Sequence, residues 1–294
     1  MTTIFYHVDN FCKSYEEKVA KKMLATGKKK AKRKPRMALS DILTIIVYFH
    51  HSGYRTFKQY YEHMILQEQK TAFDSLVSYN RFVELMKDVM MPLAALAMSM
   101  SKTDVANGIY FIDSMALKVS HNARISSHKV FAGFAERGKT STGWFFGFKF
   151  HLVINHLGEI ASFWITPGNV SDCNENLVER LTKKIRGKLF GDRGYLSLKL
   201  FKRLWNRGIH LITKIRKNMK NQIMSISDKF LLKKRAVIES VNNLLKTSHQ
   251  IEHSRHRSIQ NFFVNACAAV VAYNFREKKP SIRLRRTGLL QAFI

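Results

Sequence analysis

The sequence predicts an α/β fold, a mixed sheet with helices on its faces, preceded by a helical domain. Three observations predict it. Up to about residue 100 the apolar residues fall in helical runs separated by turn signals. From residue 108 they fall in short strand-like runs, one strand followed by a hairpin. Beyond residue 170 amphipathic helices alternate with short apolar strands. The expected division is a helical domain over 1–100 and a sheet domain over 101–294.

The elements follow in order. Ser40-Asp41 precedes the apolar run Ile42 to His51 and reads as its cap, and Ser52-Gly53 ends that run. Thr56 opens a second helix, Phe57 to Ile65, and Ser78 a third, Tyr79 to about Met90, ending before Pro92. Three short helices with a basic flank suit either a small DNA-binding domain or a platform for the rest of the chain. GIYFID, 108 to 113, is an apolar strand that ends in an acid. GFKFHLVIN, the turn HLGE and IASFWIT form a hairpin closed by Pro167-Gly168. Asn169 to Asp172 leads into a helix with Leu177, Leu181 and Ile185 on one side. KLFGD is a strand, Leu198 to Arg207 a helix, and GIHLITKI another strand. A long helix is expected from about Asp228 to Thr247, and an apolar helix from Ile259 to Phe275. The ribonuclease H-like fold has this order, and several other α/β folds share it.

Charge narrows the function. Fifty Lys and Arg stand against 21 Asp and Glu, a formal charge of +29. So large an excess attracts polyanions, above all nucleic acid. KKKAKRKPR concentrates Lys28, Lys29, Lys30, Lys32, Arg33, Lys34 and Arg36. It reads as a phosphate-binding arm, the alternative being a solvated linker. Cys12, Cys173 and Cys267 lie far apart with no CxxC pair, which indicates neither a zinc ribbon nor a disulfide framework and fits a reducing cytoplasm. No apolar run is long enough for a membrane span, and the first residues, with Asp9, do not read as a signal peptide. His249, His253 and His256 cluster, but nothing completes a zinc site, and Arg255 and Arg257 beside them read as DNA contacts. There is no GxxxxGK[ST], so no nucleotide partner is implied.

The few acids are informative. Asp113 in YFIDSMAL and Asp192 in LFGDRGYLS each end a predicted strand, where α/β sheets gather their chemistry. Two carboxylates brought together there repel unless a hard divalent ion holds them. On the expected long helix, Val237, Ile238, Val241, Leu244 and Leu245 form an apolar stripe, with Arg235, Glu239, Asn242 and Lys246 opposite. Alone, that polar stripe reads as a solvated face. With the two aspartates, Glu239 makes a third acid. An Asp, Asp, Glu set in a basic protein suits two Mg²⁺ or Mn²⁺ ions acting on a phosphodiester, with Arg235, Lys246 and Lys149 as phosphate donors. Gly191 and Gly194 are expected to let the backbone turn tightly beside Asp192.

YFIDSMAL, GFKFHLVIN, TPGNVSD, LFGDRGYLS, KKRAVIES and IEHSRHRS occur in an order that resembles the DDE transposases of bacterial insertion sequences. The resemblance is closest to the family named after insertion sequence 982 and spans nearly the whole chain. It implies a ribonuclease H-like core, and it assigns Asp113, Asp192 and Glu239 as the catalytic, metal-holding acids. It implies DNA cleavage at terminal inverted repeats, strand transfer into target DNA, and two or more copies assembled on paired ends. A related group carries Tyr, Arg, Glu and Lys on the last catalytic helix. Arg235, Glu239 and Lys246 match, while Leu232 stands at the Tyr position. The rival readings are a metal-dependent nuclease that does not join, and a DNA-binding protein whose acids only balance charge.

Overall fold

The structure is a computed structural model that describes residues 1–26, 36–103, 108–141, 143–214, 224–252 and 256–282. It divides into two units, residues 1–100 with 245–275 and residues 101–244 with 276–294. The basic residues Lys28, Lys29, Lys30, Lys32, Arg33, Lys34 and Arg255 lie outside the described residues, as does His253.

The first unit is helical. It opens with α1 (Thr2–Ala25), which the sequence patterns above do not single out. Ile4, Val8 and Cys12, four apart, are its buried stripe. Helix α2 (Leu39–Phe49) starts earlier than expected, after Ala38, so Ser40 and Asp41 fall within its first turn and do not cap it. Thr56 does cap α3 (Phe57–Gln59), its side chain accepting from the Gln59 N–H, and the chain continues as a π-helix over Tyr60–Glu68. The third expected helix is two: α4 (Tyr79–Asp88) and α5 (Met90–Ser99). Pro92 does not stop the chain there. It sits in the first turn of α5, where a missing N–H leaves no bond unmade. Helix Ile259–Asn274 (α10) packs on α2, α4 and α5. Its residues from Val264 to Tyr273 are nearly all fully buried. Element order alone gave no sign that 245–275 belongs with the first hundred residues.

The second unit holds one six-stranded sheet. Its strands are β1 (Ile109–Ser120), β2 (Glu136–Thr140), β3 (Gly143–Asn155), β4 (Ile160–Pro167), β5 (Gly187–Gly191) and β6 (Ile209–Thr213). β3 pairs antiparallel with β1 on one side. Two further strands pair antiparallel with it: β2 along its first residues and β4 along the rest. β1 pairs parallel with β5, and β5 with β6. The order β4-β3-β1-β5-β6 is the ribonuclease H-like arrangement.

Helices α6 (Glu175–Leu181) and α7 (Leu198–Trp205) cover one face. Leu177, Val178, Leu181, Leu200 and Leu204 meet Tyr110, Ile112, Val153 and Leu189 of the sheet there. Ile185 joins this core from beyond the end of α6. The expected long helix is broken at Lys234 and Arg235 into α8 (Ile226–Lys233) and α9 (Ala236–Thr247). Among the described residues no helix is long and apolar enough to cross a membrane.

On the other face, Phe111 of β1 and Phe190 of β5 are register partners, fully buried, with stacked rings 5.4 Å apart. Removing one ring leaves a cavity between two central strands. Phe190→Ala is expected to cost about 3–5 kcal/mol of stability, measured by denaturant unfolding. A loss under about 1 kcal/mol would show that the site collapses without this pair.

Candidate active site

The parallel register places the two aspartates. Phe111 faces Phe190 in the last pair of the two strands, so Asp113 and Asp192, each two residues further on, both lie just beyond the end of that pairing. Parallel strands lie about 4.8 Å apart, so the two carboxylates share one end of the sheet. Asp192 follows the last residue of β5, as expected. Asp113 does not end its strand: β1 continues to Ser120, paired with β3. What ends near Asp113 is the pairing with β5, whose last partners are Phe111 and Phe190.

Alternation along β1 puts Asp113 on the face opposite Tyr110 and Ile112, away from α6 and α7. There it meets α9. Asn242 Nδ2 donates to Asp113 Oδ2 at 3.1 Å, and Arg235 Nη1 lies 3.8 Å from Asp113 Oδ1. Arg235 Nη2 donates to Glu239 Oε1 at 2.6 Å. One guanidinium therefore bridges Asp113 and Glu239. The break before α9 puts Glu239 in that helix's first turn, where a negative charge suits the helix dipole. The apolar stripe of α9 is buried as read from the sequence, at Val237, Ile238, Val241 and Leu245. The opposite stripe is not a solvated face throughout, since Asn242 is buried against Asp113.

Asp113 is the most perturbed acid of the site. Burial pushes its carboxyl up to about 6, and the charges of Asp192 and Glu239 add to the rise. Arg235 and the Ser114 N–H act against it. Asp192 caps the short 3-10 turn Arg193–Tyr195, its carboxylate accepting from the Gly194 N–H. Neither Gly191 nor Gly194 has a positive φ. Crowding selects glycine here. A Cβ at Gly194 would stand 2.9 Å from the Asp192 carboxylate, and one at Gly191 would press on Tyr195 and Ile112.

Beneath the acids lies Tyr195, fully buried, its hydroxyl without a hydrogen-bond partner among the described residues. Burial holds its phenol well above the usual range, with Asp172, Asp113 and Asp192 adding to the effect.

On the opposite face of β1 stands a fourth acid, Asp172, from TPGNVSD. Its Oδ1 accepts from Ser114 Oγ at 2.8 Å and from Lys149 Nζ at 3.2 Å. Lys149 Nζ also donates to the Val170 carbonyl at 2.9 Å. His151 Nε2 is 2.9 Å from Thr166 Oγ1, and its Nδ1 is 3.8 Å from Asp172 Oδ1. Thr166 Oγ1 also lies 3.1 Å from the Pro167 carbonyl, and His151 Nδ1 has no hydrogen-bond partner among the described residues. Burial lowers the His151 pKa to about 4, which keeps the ring neutral. Asp172, Asn242 and Tyr195 were not singled out as site residues in the sequence. The signals were present in TPGNVSD, in the position three residues after Glu239, and in the tyrosine of LFGDRGYLS.

The basic residues divide. Arg235 belongs to the acid cluster. Lys149 is buried and engaged by Asp172 and Val170. Lys246 pairs with Glu252 at 3.0 Å in the helical unit. Arg36 and Arg257 are exposed.

The sequence matches the family described as Transposase DDE domain over residues 103–259, more than half of the chain. The chain belongs to this family. The match begins just before β1 and takes in all six strands, the four acids and α9. Among solved structures the chain is similar to a piggyBac transposase synaptic complex with hairpin DNA. The identity is 11%, covering 89% of this chain and 73% of that one, with a TM-score of 0.44. No curated protein matches the sequence significantly.

Asp113, Asp192 and Glu239 offer only oxygen donors, the set a hard divalent cation takes. Among the described residues no three His, Cys, Asp or Glu side chains converge closely enough to hold an ion. The desolvated Asp113, already leaning on Arg235, is nevertheless a carboxylate that a cation would stabilise.

Two predictions test this electrostatic reading. The folded Asp113 has a pKa near 6 against 3.8 unfolded, so the native state binds more protons between those values. Stability therefore falls as pH rises from about 4 to about 6, by at most about 3 kcal/mol. Asp113→Asn in chelator-containing buffer is expected to remove this slope and to be more stable than wild type at pH 7, by urea unfolding across pH. Equal slopes would show that Asp113 is not desolvated. Asp172→Asn strands the buried Lys149 ammonium and is expected to cost about 3 kcal/mol. Adding Lys149→Met should recover most of the loss, and a double variant as unstable as the single one would refute the pairing.

Proposed function

We propose that this DDE transposase cuts DNA at the ends of its own element and joins those ends to target DNA. Asp113, Asp192 and Glu239 are its catalytic acids. The observation that carries the reading is the desolvated Asp113, tied through Arg235 to Glu239 and brought to the same end of the sheet as Asp192 by the β1–β5 register.

Each residue has a part. The three acids would hold Mg²⁺ or Mn²⁺, which when bound supplies an activated hydroxyl nucleophile and charge stabilisation for an in-line attack on phosphorus. Asn242 fixes the orientation of the Asp113 carboxylate. Arg235 presents a planar fork of donors between two acids, suited to take the non-bridging oxygens of a scissile phosphate. Gly194, which lacks a side chain, holds Asp192 by its N–H and lets a sugar-phosphate backbone approach closely. Water serves as the nucleophile in cleavage and a freed 3′-hydroxyl in joining. No side chain forms a bond to DNA.

The test uses the full chain and DNA carrying the sequences that flank its coding region, with Mg²⁺, Mn²⁺ or a chelator. Wild type is expected to give cut and joined products only with metal. Asp192→Asn and Glu239→Gln are expected to bind the DNA as well as wild type while product falls to background. Cutting without joining would make the chain a nuclease. DNA bound but uncut under either metal would remove the catalytic reading.

A further inference from the structure

Beyond its last pairing with β5, β1 runs on from Ile112 to Ser120 beside β3, and β2 joins β3 further out. The result is an antiparallel arm that continues past the sheet edge where Asp113 and Asp192 lie. Its core is aromatic, with Phe131, Phe145, Phe146 and Phe148 buried. The segment 121–135 folds over one face, with Phe131 against Phe148 at 6.0 Å and His128 against Phe146 at 6.5 Å. Asn122 ties this segment to the tip, its Nδ2 donating to the Trp144 carbonyl at 2.9 Å.

The tip is built differently. Trp144 is 62% exposed, at the start of a strand whose next residues are almost wholly buried. Lys139 is its register partner, and its ammonium lies 5.6 Å from the centre of the indole ring. Arg137, the next residue of β2 on the same face, is exposed, as are Arg124 and Lys129. None of these four cations pairs with a carboxylate among the described residues. Elsewhere in the unit Lys149, Lys188, Arg203 and Arg235 pair with carboxylates, while Lys183, Lys184, Lys202 and Lys229 have no ion pair among the described residues, so it is the indole beside Lys139 that sets the tip apart. An exposed indole among unpaired cations is what an unpaired nucleic-acid strand binds: a base stacks on the ring and phosphates take the charges.

The register gives the arm its relation to the acids. The register shift opposite Gly147 and Phe146 puts its extra residue on β1, so β3 itself keeps its alternation and Trp144 lies on the face of Leu152, the partner of Asp113. Eight residues of extended chain separate them, about 27 Å, a little under one turn of duplex.

We infer that this arm binds single-stranded DNA next to the cut site, with a base on Trp144 and phosphates on Lys139 and Arg137. The inference rests on the transposase reading above. It adds a surface that reading does not use.

The test needs no knowledge of the element ends. The full chain is titrated against a fluorescein-labelled 20-nucleotide oligo(dT) and a blunt duplex of equal length, over a range of salt. Wild type is expected to bind the single strand with Trp144 fluorescence quenched. Trp144→Ala is expected to weaken single-strand binding about 5- to 100-fold and duplex binding less than about twofold, with Trp144→Phe in between. Lys139→Ala should lower the slope of log affinity against log salt by about 0.7. Unchanged circular dichroism and melting would show that these exposed substitutions leave the fold intact. If Trp144→Ala binds oligo(dT) like wild type, or weakens both DNAs alike, the arm is not a single-strand site, and the transposase reading stands. If wild type binds neither DNA, both fall.

Discussion

The pairing of Phe111 with Phe190 is the constraint on which the rest of the site depends. It fixes the parallel register of β1 against β5, and a register is all or nothing. A slip of one residue would send Asp113 to the face covered by α6 and α7 and put Ile112 in its place. The stacked rings below the acids make that slip costly, because each would leave a fully buried position. The chemistry of this sheet edge is therefore held by apolar packing one layer down.

The same arrangement is costly electrostatically. Asp113 sits where burial disfavours its charge, and two further acids lie close by. A chain selected only for stability would place an amide or an apolar residue there. The protein instead surrounds the carboxylate with limited compensation: an amide donor from Asn242, the Ser114 N–H and one guanidinium shared with Glu239. On the other face of β1 the carboxylate is better compensated, since Asp172 accepts from Ser114 and Lys149 beside a neutral His151. Neighbouring residues of one strand, Asp113 and Ser114, thus belong to two networks compensated to different degrees.

Much of this was legible in the sequence. The hairpin, β5, α7 and β6 stand out by alternation and turn chemistry, and the three acids by scarcity in a basic chain. Two kinds of feature were not. Strand β1 was read as ending at Asp113 because the apolar run stops there. The strand in fact continues, since pairing with β3 outlasts pairing with β5, and pairing is not a local property. The break between α8 and α9 was missed because both halves keep an apolar stripe. Nothing in KKRAVIES marks the turn at Lys234 and Arg235, although that turn puts Glu239 beside the helix start. Asp172 was read as the approach to a helix because its partners, Ser114 and Lys149, are distant in the chain.

A net charge of +29 attracts polyanions without saying where they would bind. Geometry says which cations are available to them. With 21 acids among 50 bases, most cations have no carboxylate to meet, and the fold decides which ones do. In the sheet unit the acids Asp113, Asp172, Glu175, Glu179, Asp228 and Glu239 each have a cationic partner. Those pairs lie along the sheet and its helices, some more buried, as Lys149 with Asp172, and some more exposed, as Arg203 with Glu179. The antiparallel arm contributes Glu136 as its one acid between Leu117 and Trp144, and its cations face solvent. Charge that looks uniform along the sequence is thus partitioned in the fold. Around the acids a phosphate meets cations that already have carboxylate partners, whereas Arg124, Lys129, Arg137 and Lys139 of the arm are exposed and have none among the described residues.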